Sequence, residues 1–123
     1  MLRGVDTTKS PKDFESAWKS IGIYARAHDK IETLEMHVIN DIGKATSREV
    51  IVASHASKKR RHRTLSKEDF RYAWEMLVAR DSIGLDDIDP ELRGRRAIIL
   101  AFLQKVPDVE YSLKPLRLRL KKN

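Results

Sequence analysis

Apolar positions along this chain recur at helical spacing in several stretches. Phe14, Ala17, Trp18 and Ile21 fall at i, i+3, i+4 and i+7, which is one face of a helix. Ser10-Pro11-Lys12-Asp13 ahead of them reads as a helix start, with Ser10 as cap, Pro11 at the first helical position and Asp13 at the positive end of the dipole. Gly22 reads as the stop, so the pattern predicts a short helix over about residues 11–21. Residues 23–29 then read as a connector with an extended piece around Tyr24–Arg26.

Asp29-Lys30-Ile31-Glu32 is a D-x-x-E capping pattern, and a longer periodic stretch follows it. Ile31, Leu34, Val38, Ile42, Ala45, Val52, Ala53 and Ala56 lie on one stripe at about 100° per residue. Met36, Ile39, Val50 and Ile51 lie outside it. No proline interrupts residues 30–58, although Gly43 weakens the middle, so the pattern predicts one helix about 45 Å long at ~1.5 Å per residue. Such a rod carries apolar surface on more sides than its own flanking segments can cover, and a second polypeptide is expected to clasp it.

Ser66-Lys67-Glu68-Asp69 marks another start, with Phe70, Ala73, Trp74 and Leu77 on the apolar face as far as about Arg80. Asp89-Pro90 opens a fourth predicted helix over about 90–104, carrying Leu92, Ile98, Ile99, Phe102 and Leu103 and ended by Pro107. Leu113, Leu116 and Leu120 predict a short final helix from about residue 112. The expected fold class is therefore all-α. It comprises a tail over 1–10, a short–long–short core over 11–80, and a helical extension with a basic tail over 81–123.

Charge sharpens this picture. Of 25 Lys and Arg, five lie within Lys58–Arg63 and five within residues 112–123, neither segment holding an acid, which leaves 15 basic against 18 acidic side chains elsewhere. A localised excess points to a polyanionic partner more than a uniform one does. The run Lys58–Arg63 has three readings: contact with a DNA backbone, a nuclear-import signal, or cations placed favourably at a helix carboxyl end. Lys9 and Lys12 are further candidates for phosphate contact.

Other chemistry is sparse. With 123 residues and no cysteine, one domain is expected, with no disulfide framework and no thiolate metal site. The amino-terminal residues hold no apolar run of a secretory signal, and no stretch approaches the ~18 apolar residues of a membrane span, so a soluble intracellular protein is expected. His28, His37, His55 and His62 show no ligand spacing. No nucleophile motif or glycine-rich phosphate loop occurs, and Asp86, Asp87 and Asp89 lack the glycine and terminal Glu of a calcium loop. The expectation is a non-enzyme without cofactor or metal, in which Trp18 and Trp74 serve a core or an interface.

The short–long–short order ending in Arg63-Thr64-Leu65-Ser66-Lys67-Glu68-Asp69-Phe70, with Ala73 beyond, resembles the histone fold over about residues 11–80. Within that superfamily it is most similar to the group of the nuclear factor Y B subunit, the beta subunit of negative cofactor 2 and the small subunits of DNA polymerase epsilon. Tyr111 and Pro115-Leu116-Arg117-Leu118-Arg119-Leu120 are similar to a tail piece of that B subunit. The family's clamp arginine, seven residues before the third-helix Asp, is replaced here by His62.

The resemblance implies a heterodimer with a second histone-fold chain, through Trp18, Ile31, Leu34, Val38, Ile39, Ile42, Ala45, Val52, Phe70 and Trp74. It also implies paired connectors on double-stranded DNA, with Arg26, Lys58, Lys59, Arg60, Arg61, Arg63 and Thr64 on the phosphates. A nuclear location and a role in transcription, chromatin or replication follow from it. Two alternatives stand beside this reading. One is an assembly module like subunits of the general transcription factor TFIID, without DNA contact and with the 90–104 helix docking further subunits. The other is a self-sufficient basic helical protein that binds RNA.

Overall fold

The computed structural model describes residues 13–56, 61–92 and 94–121. It holds helices and strands in the order α1 (Phe14–Ala27), β1 (Lys30–Glu32), β2 (Ile39–Ala45), β3 (Glu49–Ser54), β4 (His62–Ser66), α2 (Lys67–Arg80), β5 (Ser82–Gly84), α3 (Arg96–Leu103), β6 (Val109–Ser112) and β7 (Arg117–Leu120). Two 3-10 turns, Leu85–Asp87 and Pro90–Leu92, lie between β5 and α3. The protein is a mixed α/β fold with two antiparallel sheets, so the all-α expectation and the likeness to a histone fold are both overturned.

Helix α1 starts at Asp13, whose carboxylate accepts from the Glu15 backbone N–H at 3.0 Å; the proposed cap Ser10 and Pro11 lie outside the described residues. The helix does not stop at Gly22. Its buried stripe continues through Gly22 and Ala25, and the Arg26 guanidinium folds back over Gly22, where a Cβ would come within 3.0 Å of it. The expected connector at 23–27 is therefore helix. Its end is closed by His28, whose Nδ1 lies 3.0 Å from the Tyr24 carbonyl.

The expected long helix is three strands. Two physical signals separate the alternatives here. Residues 38–42 and 50–52 are rich in β-branched Val and Ile, which suit a pleated surface. Between them Thr46-Ser47-Arg48 forms a turn, in which the Thr46 hydroxyl accepts from the N–H groups of Arg48 and Glu49 at 3.1 and 3.2 Å. Gly43 is the extra residue of a β-bulge: Ile42 pairs with Val52 and Lys44 with Ile51. The bulge resets the alternation, so that Ile42 and Ala45 both point to the core.

Sheet A is a four-stranded meander, β1-β2-β3-β4. Its inner face carries Ile31, Val50, Val52 and Leu65 into the core, where α1 and α3 cover it. Trp18 ties α1 to the sheet, its indole N–H donating to the Ser47 carbonyl at 3.1 Å.

The α2 start matches the sequence expectation. Ser66 accepts from the Asp69 N–H and Asp69 accepts from the Ser66 N–H, both at 3.1 Å, which is a complete capping box. The predicted 90–104 helix is shortened to α3, because Pro90 opens only a 3-10 turn and Gly94 interrupts at φ 86°. The predicted final helix is absent from the described residues. Leu116, Leu118 and Leu120 alternate inward and Arg117 and Arg119 outward on β7, the central strand of three-stranded sheet B, ordered β5-β7-β6. One contiguous core unites both sheets and all three helices, with Phe70, Trp74, Leu77, Ile99, Phe102, Leu103 and Leu118 fully buried.

Candidate nucleic-acid interface

The described part of the basic run, Arg61–Arg63, lies at the start of β4. Strand β3 ends at Ser54, β4 begins at His62, and residues 55–61 join these two neighbouring antiparallel strands. Lys58, Lys59 and Arg60, three of the proposed phosphate contacts, lie outside the described residues, as do Lys9 and Lys12. Arg61, His62 and Thr64 are exposed. The corner is not the carboxyl end of a helix, so the reading of its cations as dipole partners falls.

Strand alternation sends the β4 side chains to two faces. His62 and Thr64 project from the outer face of sheet A and Arg63 and Leu65 from the inner one. Two rows cross the outer face: Lys30, Asp41, Ala53 and His62, and beside it Lys44, Ile51 and Thr64. Ion pairing sorts the cations in these rows. Asp41 holds Lys30 at 3.4 Å and His55 Nε2 at 2.9 Å, both on its Oδ1. These interactions, the His55 hydrogen bond first, depress the Asp41 carboxyl below its ordinary value of 3.8 against an opposing push from desolvation. Lys44 and Arg61 make no ion pair among the described residues, so uncompensated positive charge stands on β2 and at the start of β4. No Phe, Tyr or Trp lies on either outer row, and His62 is the one ring among those named.

Acidic residues gather elsewhere, on α2 and the turns before α3. Glu68, Asp69 and Glu75 of α2, with Asp89 and Glu91, line an open groove of about 570 Å³ that also contains Arg71, Arg95 and Tyr72.

The remaining expected site residues are dispersed. Arg26 lies on α1 ahead of β1, while Arg61 and Thr64 belong to β4 and its approach. Strands β1 and β4 are the opposite edges of sheet A, three spacings or about 14 Å apart. The paired connectors that the histone-fold resemblance implied have no counterpart in this α/β fold. Of the residues assigned to a partner interface, Trp18, Ile31, Leu34, Val52, Phe70 and Trp74 are buried in this chain's own core. Val38, Ile42 and Ala45 are half-buried, and Ile39 is 36% exposed on the outer face. The rod that made a clasping chain necessary does not exist, and the physical argument for it goes too.

A polar feature escaped the sequence reading. Thr33 and Asn40 are the buried polar residues of the core region, 4% and 1% exposed. Both line an open cavity of about 310 Å³ with Met36, Val38, Ser54, Arg63 and Gly94. Read with period two, the segment Val38-Ile39-Asn40-Asp41-Ile42 places Asn40 inward beside Ile42, and that was the available signal. Among the described residues, no group of His, Asp and Glu side chains could hold a metal ion, and no helix is long and apolar enough to cross a membrane. No family model matches the sequence, and no curated protein or solved structure matches it significantly.

Proposed function

We propose that this chain binds the backbone of duplex DNA, without reading its sequence, through the β3–β4 corner and the adjoining outer face of sheet A. One observation carries the reading: five of the chain's Lys and Arg fall within residues 58–63, a run that spans the end of the β3–β4 connection and the start of β4. A corner built on a ladder fixes where its flanking cations stand, and each phosphate they neutralise releases counterions. Lys44 and Thr64 extend the surface along one row of the sheet, Thr64 offering a hydroxyl to a phosphate oxygen.

Duplex is favoured over single-stranded RNA by the outer rows. Single strands are held by successive bases stacking on several aromatic faces, and these rows offer one ring, His62, among Lys, Thr, Ala, Ile and Asp. The test is fluorescence anisotropy with labelled duplex DNA across a salt series. Binding at ~50 mM salt that weakens steeply with added salt is expected. Replacing Arg60 and Arg61 with Glu should lower affinity for every duplex and flatten the salt slope by about one for each phosphate no longer neutralised. No binding at low salt sinks the reading, and tighter binding to single-stranded RNA than to duplex replaces it with the RNA alternative.

A further inference from the structure

The cavity beneath the basic corner has the chemistry of a base pocket. Asn40 is 1% exposed, and its Oδ1 has no hydrogen-bond partner. Its other end, Nδ2, faces the Val38 carbonyl at 3.5 Å, a long contact that favours this amide orientation over the flipped one, which would set two oxygens against each other. A buried acceptor left empty costs the fold its desolvation and returns nothing. Its hydroxyl neighbours are half engaged. Thr33 Oγ1 accepts from the Val38 N–H at 2.8 Å and Ser54 Oγ from the Ala56 N–H at 3.1 Å, so the hydroxyl proton of each remains available to a ligand. The walls are apolar, from Met36, Val38, Ala97 and Ile98.

Arg63 connects this cavity to the surface. It is part of the basic run, points to the inner face of sheet A, and lies against Gly94 at the cavity rim. Among the described residues it forms no ion pair. A lining that combines buried polar side chains, apolar side chains and one arginine matches a nucleotide: the base against the former, the phosphate at Arg63. The Watson–Crick edge of a nucleobase sets a donor beside an acceptor, which complements a carboxamide.

We propose that this cavity receives a single nucleobase turned out of a duplex held at the basic corner, with Asn40 pairing to its edge and Arg63 to its phosphate. This inference rests on the backbone-binding reading and deepens it. Turning a base out is cheapest where it is unpaired. The probe is therefore a short duplex with one adenine opposite an abasic site, compared with the fully paired duplex and with a duplex that is abasic on both strands at that position.

Wild-type protein should bind the first about tenfold more tightly than either control, the scale of one bidentate base interaction. Asn40→Leu should abolish that preference, as should Ala97→Phe, which fills the cavity from α3. Intrinsic fluorescence melts of both variants establish that they are folded. Equal affinity for all three duplexes overturns the proposal and leaves the backbone reading standing. If no duplex binds, the backbone reading fails, and free adenosine decides the pocket by NMR. Displacement of the Asn40 side-chain amide signals supports the pocket, and unmoved signals overturn it.

Discussion

The rings of Phe70 and Phe102 meet edge to face, their centroids 5.9 Å apart and their planes at 88°. This packing joins α2 to α3 and sits within an aromatic chain, since Trp18 tilts against Phe70 at 5.4 Å and Tyr24 meets Phe102 edge-on at 6.2 Å. The core is thus continuous from α1 to α3. Phe102→Ala should destabilise the protein by about 3–5 kcal/mol through reduced burial and a cavity that cannot close. Tryptophan fluorescence and far-ultraviolet circular dichroism should still report one coincident urea transition, because both sheets share that core. Two separated transitions would show that the sheets are independent.

The capping box at the start of α2 gives a sharper local expectation. Ser66 is both the last residue of β4 and the helix cap, so it couples the basic corner to α2. Ser66→Ala should cost about 1 kcal/mol by chemical denaturation, and Ser66→Asp should restore most of it. Equal stability of all three proteins would mean that the cap contributes nothing.

Asp41 provides a pH dependence with a defined sign. Its folded carboxyl titrates below 3.8, chiefly through the hydrogen bond from His55. The stabilisation is therefore present above the ordinary value and disappears as pH falls through the folded one. Wild type should exceed Asp41→Asn in stability above that window, and the two should converge below it. Urea midpoints between about pH 6 and pH 2 measure this. A gap that persists in acid would assign the effect to packing.

Gly94 has φ 86°, and a methyl group there would overlap the Arg63 guanidinium. Gly94→Ala should therefore combine backbone strain of about 1–2 kcal/mol with displacement of Arg63. Gly43, by contrast, leaves ordinary van der Waals space for a Cβ, the nearest atom being the Ile51 carbonyl oxygen at 3.5 Å. Gly43→Ala should be much the milder change, as paired thermal melts would show.

What the chain revealed in advance divides along a physical line. Local signals were legible: the Phe14–Ile21 stripe of α1, and the Ser66–Asp69 cap of α2 with its face of Phe70, Ala73, Trp74 and Leu77. Ile31 to Ala56 was not. A hundred-degree stripe can be threaded through hairpins whose apolar residues alternate, because a long window offers enough matches to either period. The discriminating features were short-range, namely Thr46-Ser47-Arg48 as a turn and Gly43 as a bulge. The Leu-Arg alternation of Leu116–Leu120 likewise fits period two better than the helical spacing of Leu113, Leu116 and Leu120. The charge concentration at Lys58–Arg63 was visible from composition, whereas the cavity of Thr33, Asn40 and Ser54 depends on strand register.

Joining β3 to β4 by residues 55–61 has a consequence for how this protein can vary. The ladder from Val50–Leu65 to Ala53–His62 sets the strand register from residues outside the segment 57–60. Doubling the length of a loop adds only about 0.6 kcal/mol of closure entropy. The basic segment and the scaffold can thus drift apart: substitutions or insertions within 57–60 leave the strand pairing on either side of it intact.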